Sequence, residues 1–392
     1  MKKSTGCFLF ILLMHIMACS DPQPSGTGNE TTSSSNADKP SWALLPFLKV
    51  DSVNPILGPG NGKFYCPIRK EMVNWEEKDV FNPAVVVRDG KIYMLYRAED
   101  FVGKHAGTSR IGLAESSDGL HFTRHPEPVL YPDNDAWKKY EWEGGCEDPR
   151  VVEDDKGMYY MTYTSYDGNV ARLMIASSKD LKKWNKHGPT FLSAYNGKYA
   201  DKWSKSGSIV SRYDNGKIIA TKINGKYWMY WGDVNIWAAT SEDLINWTPL
   251  LYENGEKPPT EFRRNAGEVA DVKVVFGPRK GMFDSDLVEP GPPAMITDSG
   301  IVLIYNSRNI PAIGDTSLKE GTYTAAQILL DINDPLKVLQ RMDTYFIKPD
   351  KEYEMQGQMN QVCFVEGLVN YNNKWFMYYG TADSKIGVAV KE

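Results

Sequence analysis

The run KIYMLY, residues 91–96, is a short stretch of aromatic and β-branched residues, and runs of the same kind return four more times along the chain. Successive runs begin 67 to 74 residues apart: MYYMTY (158–163), KYWMYW (226–231), GIVLIY (300–305) and KWFMYY (374–379). A fixed period of this length is typical of repeat architectures, in which every repeat is one supersecondary unit. The five runs therefore predict five equivalent β units.

A second phrase follows three of the runs and indicates how each unit is built. Each copy reads as a strand, a Ser-x-Asp turn and a closing aromatic residue: GLAESSDGLHF (112–122), MIASSKDLKKW (174–184) and WAATSEDLINW (237–247). Asp89-Gly90 and Asn215-Gly216 are typical of hairpin turns, and long helical periodicity is nearly absent. A repeat of this length suffices for a four-stranded sheet, and a ring of such sheets protects their edges. We therefore predict an all-β fold, a five-bladed β-propeller with a central funnel-shaped active site, over residues 41–392.

Bulk composition excludes several classes of protein. A chain of 392 residues with 42% hydrophobic residues can bury a large core, which excludes a disordered chain. The net charge of -5 and the scattered Lys and Arg residues make nucleic acid an unexpected partner. Cys66, Cys146 and Cys363 lack metal-type spacing, and His121 and His125 fit a hairpin better than a zinc site. We expect no metal and no cofactor.

The first 40 residues read as a targeting segment. Residues 1–18 combine a positive start with a short apolar run and predict a signal peptide. Ile16-Met17-Ala18-Cys19 resembles a bacterial lipobox, although Leu is the usual residue where Ile16 stands, and residues 19–40 read as a flexible tether. The sequence thus predicts lipidation at Cys19 and an exported protein, periplasmic or anchored to the outer membrane, with the lipid as its only membrane contact. A plain cleaved signal is the alternative.

The segment just before each aromatic run should lie on the innermost strand of its blade, facing the central channel. In chain order these segments are FNPA (81–84), EDPR (147–150), KSGS (205–208), EPGPP (289–293) and FVEG (364–367). Polar residues beside Pro or Gly recur in them. We therefore expect the five segments to ring one pocket at a mouth of the channel.

EDPR belongs to EWEGGCEDPRVV (141–152), which places four carboxylates around a Gly-Gly pair. One interpretation makes Asp148 an acid at the channel mouth, with Pro149 fixing the turn and Arg150 or the neighbouring carboxylates setting its pKa. The alternative is a structural turn with an internal ion pair. The ring of matching segments favours the catalytic interpretation.

An ordered set of motifs resembles glycoside hydrolase family 130 over about residues 75–391. The set comprises FNPA, Tyr96-Arg97-Ala98, SRIGLAESSDG, EDPR, INGKYWM, NIWAATSEDLINW, GPP and YYGTADSKIGVA. The resemblance implies a five-bladed propeller that acts on mannose-containing oligosaccharides as a β-mannoside phosphorylase or a β-1,2-mannosidase. It also implies that Asp148 is the proton donor and that the mannose pocket is formed by Asn82, Arg97, Asp148, Arg150 and Asp383.

Hydrolysis and phosphorolysis place opposite demands on the pocket. Inverting hydrolysis needs a carboxylate that activates water, whereas phosphorolysis needs cations that hold phosphate. Glu289 and Glu366 stand where phosphorylases of the family carry small residues, and Gly232-Asp233 replaces their His-Arg pair. Both glutamates are therefore candidates for the base, and Glu268 is a weaker one. Lys205 matches a family lysine that helps to bind phosphate, which keeps phosphorolysis open, although a lysine there can equally form a salt bridge with a catalytic carboxylate.

Three functions follow from these observations. The favoured one is an exported inverting glycosidase that cleaves β-mannosides, with Asp148, Glu289 and Glu366 as catalytic carboxylates. The alternatives are a β-mannoside phosphorylase and a surface glycan-binding propeller without turnover. Sugar rings stack on indoles through their CH faces, so Trp142 and Trp231 are the first candidates for sugar platforms.

Overall fold

The computed structural model describes residues 40–253, 255–256, 259 and 269–392. The predicted signal peptide (1–18), Cys19, the tether apart from residue 40, and Glu268 lie outside the described residues. Three short strands precede the first repeat: β1 (Leu48–Lys49) and the hairpin of β2 (Lys63–Cys66) and β3 (Glu71–Asn74). No helix among the described residues is both long enough and apolar enough to cross a bilayer.

The first two blades are four-stranded antiparallel meanders. Blade 1 comprises β4 (Asp79–Arg88), β5 (Lys91–Glu99), β6 (Ser109–Ser116) and β7 (Thr123–Arg124). The helix α1 (Lys138–Glu141) leads into blade 2, which comprises β8 (Gly145–Glu153), β9 (Tyr159–Tyr166), β10 (Ala171–Ser178) and β11 (Asn185–Pro189). The predicted turn Asp89-Gly90 joins β4 to β5 with φ values of 49° and 72°, the left-handed conformation that a two-residue hairpin requires.

Blade 3 follows a 3₁₀ turn (Ala194–Gly197) and is interrupted by a hairpin. Its inner strand β12 (Ser208–Ile209) continues into the hairpin of β13 (Ser211–Asp214) and β14 (Lys217–Ala220), which bridges to blades 2 and 4. The blade is completed by β15 (Tyr227–Trp231), β16 (Ile236–Ser241), β17 (Trp247–Pro249) and β18 (Val274–Phe276).

The last two blades close the ring. Blade 4 comprises β19 (Leu287–Pro290), β20 (Met295–Thr297), β21 (Gly300–Arg308), β22 (Tyr323–Leu330) and β23 (Val338–Arg341). After α2 (Glu352–Met355), blade 5 comprises β24 (Cys363–Tyr371), β25 (Lys374–Thr381) and β26 (Lys385–Lys391). Its fourth strand is β1, which pairs with β26. The five-bladed β-propeller predicted from the repeats is confirmed.

The aromatic runs form the second strand of every blade, and their buried side chains fill the spaces between blades. Met94 of blade 1 packs in one cluster with Leu368 and Met377 of blade 5, and all three are at most 1% exposed. Three further clusters lie between the other blades. Burial of this apolar surface is the main favourable contribution to folding.

The Ser-x-Asp phrases form the turn between the third and fourth strands of blades 1, 2 and 3. In blade 1, Ser116 Oγ accepts a hydrogen bond from the Gly119 amide at 2.8 Å, and Asp118 Oδ1 accepts from the amides of Leu120 and His121 at 2.8 and 2.9 Å. The equivalent serine and aspartate of blades 2 and 3 make the same bonds. Side-chain acceptors thus satisfy the turn amides, which explains why the phrase recurs.

Four of the five aromatic runs end in a tyrosine whose hydroxyl donates a hydrogen bond to a carboxylate. Each carboxylate also pairs with a basic side chain, and we call this arrangement the tyrosine latch. The four sets are Tyr96–Glu76–Arg124, Tyr163–Glu141–Lys186, Tyr305–Asp284–Arg341 and Tyr379–Glu354–Lys49. In blade 3 the run ends in Trp231 instead. The latch connects the second strand of a blade to the segment before the blade, which carries the carboxylate, and to the outermost strand of the same blade, which carries the basic residue.

Candidate active site

Three candidate site residues lie where a bulge interrupts an inner strand. In β4, Phe81 and Pro83 pair with adjacent residues of β5, so Asn82 is left unpaired. The same irregularity leaves Asp148 unpaired in β8 and Glu366 unpaired in β24. Asn82 and Asp148 have φ values of 47° and 49°. A bulge re-aims a side chain out of the regular alternation, so the strands present these polar groups toward the axis.

All five blades contribute to one cavity of about 100 Å³. Its lining residues are Asn82, Arg97, Asp148, Lys205, Glu289, Tyr323, Met359, Val362, Phe364 and Asp383. Six of them were predicted from the sequence, and the structure brings those six together: Asn82, Arg97, Asp148, Lys205, Glu289 and Asp383. Their chemical roles stay predictions.

Asp148 is the most heavily contacted carboxylate of the cavity. Its Oδ1 accepts hydrogen bonds from Asn82 Nδ2 at 2.9 Å and from Arg97 Nη1 at 3.1 Å, and its Oδ2 lies 3.8 Å from Lys205 Nζ. Burial alone would raise the pKa of Asp148, but Arg97, Lys205 and the bond from Asn82 outweigh burial and lower it to about 2. The lowered pKa favours the ionised form of Asp148 at neutral pH.

Arg97 is held by several acidic groups at once. Besides Asp148, its guanidinium contacts Glu99 Oε1 at 2.7 Å and Glu147 Oε1 at 3.2 Å, and it lies 4.7 Å from the centre of the Phe81 ring. Glu99 was not predicted from its position in the sequence, and Glu147 was predicted only as part of the acidic stretch. Burial together with the Asp148 charge raises the pKa of Glu147 to about 7, with Arg97 opposing the rise.

Lys205 and Glu289 continue the charged wall beyond Asp148. Burial by itself would lower the pKa of Lys205, but the Glu289 and Asp148 carboxylates outweigh burial and raise it. Burial raises the pKa of Glu289, and the Lys205 charge opposes that rise. Glu289 Oε1 also accepts a hydrogen bond from Ser206 Oγ. Asp383 resembles Glu147, because burial and the Asp148 charge raise its pKa to about 7 against the effect of Arg97.

Glu366 and Arg150 do not line the cavity, which corrects the predicted role of each. Arg150 is 2% exposed and donates hydrogen bonds to the carbonyl oxygens of Pro290, Gly291 and Asp148. Glu366 is 0% exposed, lies 3.4 Å from Arg150 Nη1, and has no hydrogen-bond partner for either carboxylate oxygen. Burial raises the pKa of Glu366 well above its usual value although Arg150 opposes this. The pair links blades 2, 4 and 5.

The two predicted tryptophan platforms also lie elsewhere. Trp231 is 1% exposed and packs against Phe191 and Trp237 in the core between blades 2 and 3. Trp142 is partly buried against another core cluster, with the Arg69 guanidinium 5.3 Å from the centre of its ring. Neither residue is among the lining of the cavity. Neither indole was predicted correctly as a lining residue, because an indole can pack in the apolar core of a propeller as well as it can stack on a sugar ring.

The apolar wall of the cavity was not predicted. Tyr323 and Phe364 lie with ring centres 6.2 Å apart, and Met359 and Val362 complete this side. Phe364 stands in the segment before the fifth aromatic run, and this position is enough to indicate that it lines the cavity. Tyr323 begins β22 after a long loop, and no pattern marks it. Among the described residues, no cluster of three or more His, Cys, Asp or Glu side chains could hold a metal ion.

Comparisons with known proteins agree with this architecture. The family model of glycoside hydrolase family 130, described as β-1,4-mannooligosaccharide phosphorylase, matches residues 64–392. A 1,2-β-oligomannan phosphorylase of Thermoanaerobacter sp. (strain X514) is 31% identical over 326 residues, which cover 81% of this chain and 91% of the relative.

Two solved structures are closer in sequence. A glycosyl hydrolase from Bacteroides ovatus is 46% identical with a TM-score of 0.84, covering 90% of this chain and 95% of the other. A structure from work describing family members that are glycoside hydrolases targeting β-1,2 mannosidic linkages in Candida mannan is 47% identical with a TM-score of 0.85, covering 90% and 96%. The chain belongs to glycoside hydrolase family 130.

Proposed function

We propose that this chain hydrolyses β-mannosides, with β-1,2-linked mannose at the non-reducing end as the substrate and with inversion at the anomeric carbon. The observation that carries the proposal is the position of Glu289, a buried carboxylate in the wall of the same cavity as Asp148. Inverting glycosidases need two carboxyl groups, one that protonates the leaving oxygen and one that activates water.

The charge balance of the cavity supports hydrolysis over phosphorolysis. Three acidic side chains line it, Asp148, Glu289 and Asp383, beside two cations, Arg97 and Lys205. Arg97 already contacts Asp148, Glu99 and Glu147, and the Lys205 charge is matched by Glu289 and Asp148. A phosphate anion binds where cationic donors are available to it, so the described lining favours water as the nucleophile.

The acid role of Asp148 is the one that the family resemblance implies, and Glu289 is then the second carboxyl group of the pair. Glu289 is the base: it takes a proton from water as the water oxygen attacks the anomeric carbon and the glycosidic bond breaks. The departing oxygen receives a proton from Asp148, directly or through a sugar hydroxyl. Because the pKa of Asp148 is lowered to about 2, Asp148 has to take up a proton before it can donate one. Glu147 and Asp383, whose pKa values are raised to about 7, are the neighbouring acids that pass this proton to Asp148, and each regains a proton from solvent.

Two further facts favour an exo-acting mannosidase. A cavity of about 100 Å³ is small compared with common ligand sites and suits a single sugar ring. The structure related to hydrolysis of β-1,2 mannosidic linkages is 47% identical to this chain, whereas the oligomannan phosphorylase is 31% identical.

The test is incubation of the protein with β-1,2-mannobiose, with and without inorganic phosphate. We expect mannose in both reactions, at rates that do not depend on phosphate, and the α-anomer as the first product by proton NMR. Mannose 1-phosphate formed only with phosphate would overturn the proposal. Phosphorolysis is the second candidate because Lys205 lines the cavity, and a glycan-binding protein without turnover would give neither product.

We also propose that the protein is exported as a lipoprotein through Cys19, on the basis of the N-terminal sequence alone. The test compares the intact chain with Cys19→Ser in a bacterial host labelled with palmitate. We expect label and membrane-fraction recovery only for the intact chain, and equal labelling of both would overturn this proposal.

A further inference from the structure

We propose that the indole of Trp203 is the platform for the leaving sugar of the substrate, the ring that stays outside the cavity when the terminal mannose occupies it. This inference rests on the proposed function. Trp203 is 44% exposed, and its Nε1 donates a hydrogen bond to Asp233 Oδ2 at 2.7 Å. An exposed indole that is fixed in this way offers a rigid apolar face, which is the surface that the CH groups of a sugar ring contact.

The position of Trp203 follows from two links to the cavity. Trp203 precedes the cavity residue Lys205 by two positions, and the Gly232 amide donates a hydrogen bond to the Lys205 carbonyl at 2.9 Å. The segment that carries Trp203 is therefore tied to the turn after β15, where Asp233 lies. Asp233 directly follows Gly232, so the same backbone hydrogen bond holds Asp233 beside the segment of Lys205.

The size of the cavity leaves the second sugar outside it. A cavity of about 100 Å³ suits one ring, so the second sugar of a mannobiose has to rest on the surrounding rim. Contacts there are separate from those that hold the reacting mannose. Trp203 therefore affects the binding of substrates whose leaving group is a sugar. It does not change the chemistry at the reacting mannose.

One other exposed aromatic residue provides a comparison. Phe101 is 68% exposed in the loop between β5 and β6, which follows the strand that carries Arg97. A phenyl ring has no polar group through which a neighbour could fix its orientation. The Phe101→Ala variant therefore serves as the matched control on a neighbouring rim loop.

The experiment compares two substrates, β-1,2-mannobiose and β-mannosyl fluoride, whose leaving fluoride needs no platform. For Trp203→Ala we expect kcat/KM to fall roughly 10-fold with mannobiose and to change less than about 2-fold with the fluoride. Trp203→Phe keeps an aromatic face and should retain most of the activity with mannobiose. Phe101→Ala should leave both substrates near the wild-type values.

Three results would overturn the inference. They are an unchanged Trp203→Ala variant, an equal loss with both substrates, or a selective loss in Phe101→Ala but not in Trp203→Ala. A wild-type protein that needs phosphate to cleave mannobiose would refute the proposed hydrolysis, and the same comparison of variants in phosphate would still test the platform. Matching melting temperatures for all variants show that an activity change is not unfolding.

Discussion

Asp148 makes more polar contacts than the other carboxyl groups of the cavity wall, and it lies at a strand bulge. One oxygen of its carboxylate accepts hydrogen bonds from Asn82 and Arg97, and the other oxygen faces the Lys205 ammonium group. This environment stabilises the ionised form. At the scale of single residues, the site thus depends on how a few charges offset one another.

Replacing Asp148 by Asn should abolish most turnover while leaving the cavity intact. The amide oxygen can still accept hydrogen bonds from Asn82 and Arg97, but the side chain can no longer carry the proton. We expect kcat to fall roughly 10²- to 10⁴-fold, the usual contribution of general acid catalysis, with mannobiose still bound in calorimetry. The exposed carboxylate Asp89 supplies the control variant Asp89→Asn, and unchanged turnover in Asp148→Asn would refute the assignment.

Replacing Lys205 by Met should shift the pH dependence of the reaction. Lys205 lowers the pKa of Glu289, so its removal favours the protonated glutamate. A base works only when it is ionised, and the acidic limb of kcat/KM against pH should therefore move to higher pH. A limb that stays in place or moves to lower pH would show that Glu289 is not the group that titrates.

At the scale of elements, the tyrosine latch explains why the second strand of a blade ends in tyrosine. Tyr163 donates its hydrogen bond to Glu141 at 2.8 Å, and Lys186 approaches the same carboxylate at 2.6 Å. Glu141 and Tyr163 are both 0% exposed. A hydroxyl that bonds to a buried charged group contributes more than one that bonds to a carbonyl.

This contrast can be measured with Tyr163→Phe and Tyr230→Phe. Tyr230 is equally buried, but its hydroxyl donates to the carbonyl oxygen of Pro335 at 2.8 Å. We expect the free energy of unfolding in urea to fall by about 2 kcal/mol for Tyr163→Phe and about 1 kcal/mol for Tyr230→Phe. Equal losses would mean that the carboxylate adds nothing to the latch.

At the scale of the whole molecule, the ring is closed by a strand of only two residues. Strand β1 pairs with β26, and Lys49 of β1 reaches Glu354 at 2.7 Å, where the latch of blade 5 is formed. Asn54 adds two hydrogen bonds to the backbone of Val388. Closure therefore depends on side chains as much as on the short strand ladder.

Lys49→Met should weaken this closure. The variant leaves the buried Glu354 carboxylate without its cation, and we expect the free energy of unfolding to fall by about 2 kcal/mol, less than for a fully buried pair because Lys49 is partly exposed. Adding Glu354→Gln should recover part of the loss in a double-mutant cycle. The control is Lys374→Met, whose partner Glu392 is exposed, and it should change stability little.

The sequence by itself determined the number of blades, the Ser-x-Asp turns and six residues of the cavity, among them Asn82, Asp148 and Asp383. These features are local: each motif carries its own turn chemistry or stands at a fixed distance from an aromatic run. Only the tertiary structure decided that Arg150, Glu366 and Trp231 are buried outside the cavity lining. It alone brought Tyr323 to the cavity. The physical reason is that burial at the axis and between blades depends on which side chains from distant blades fill the same space, and no spacing along the chain records that.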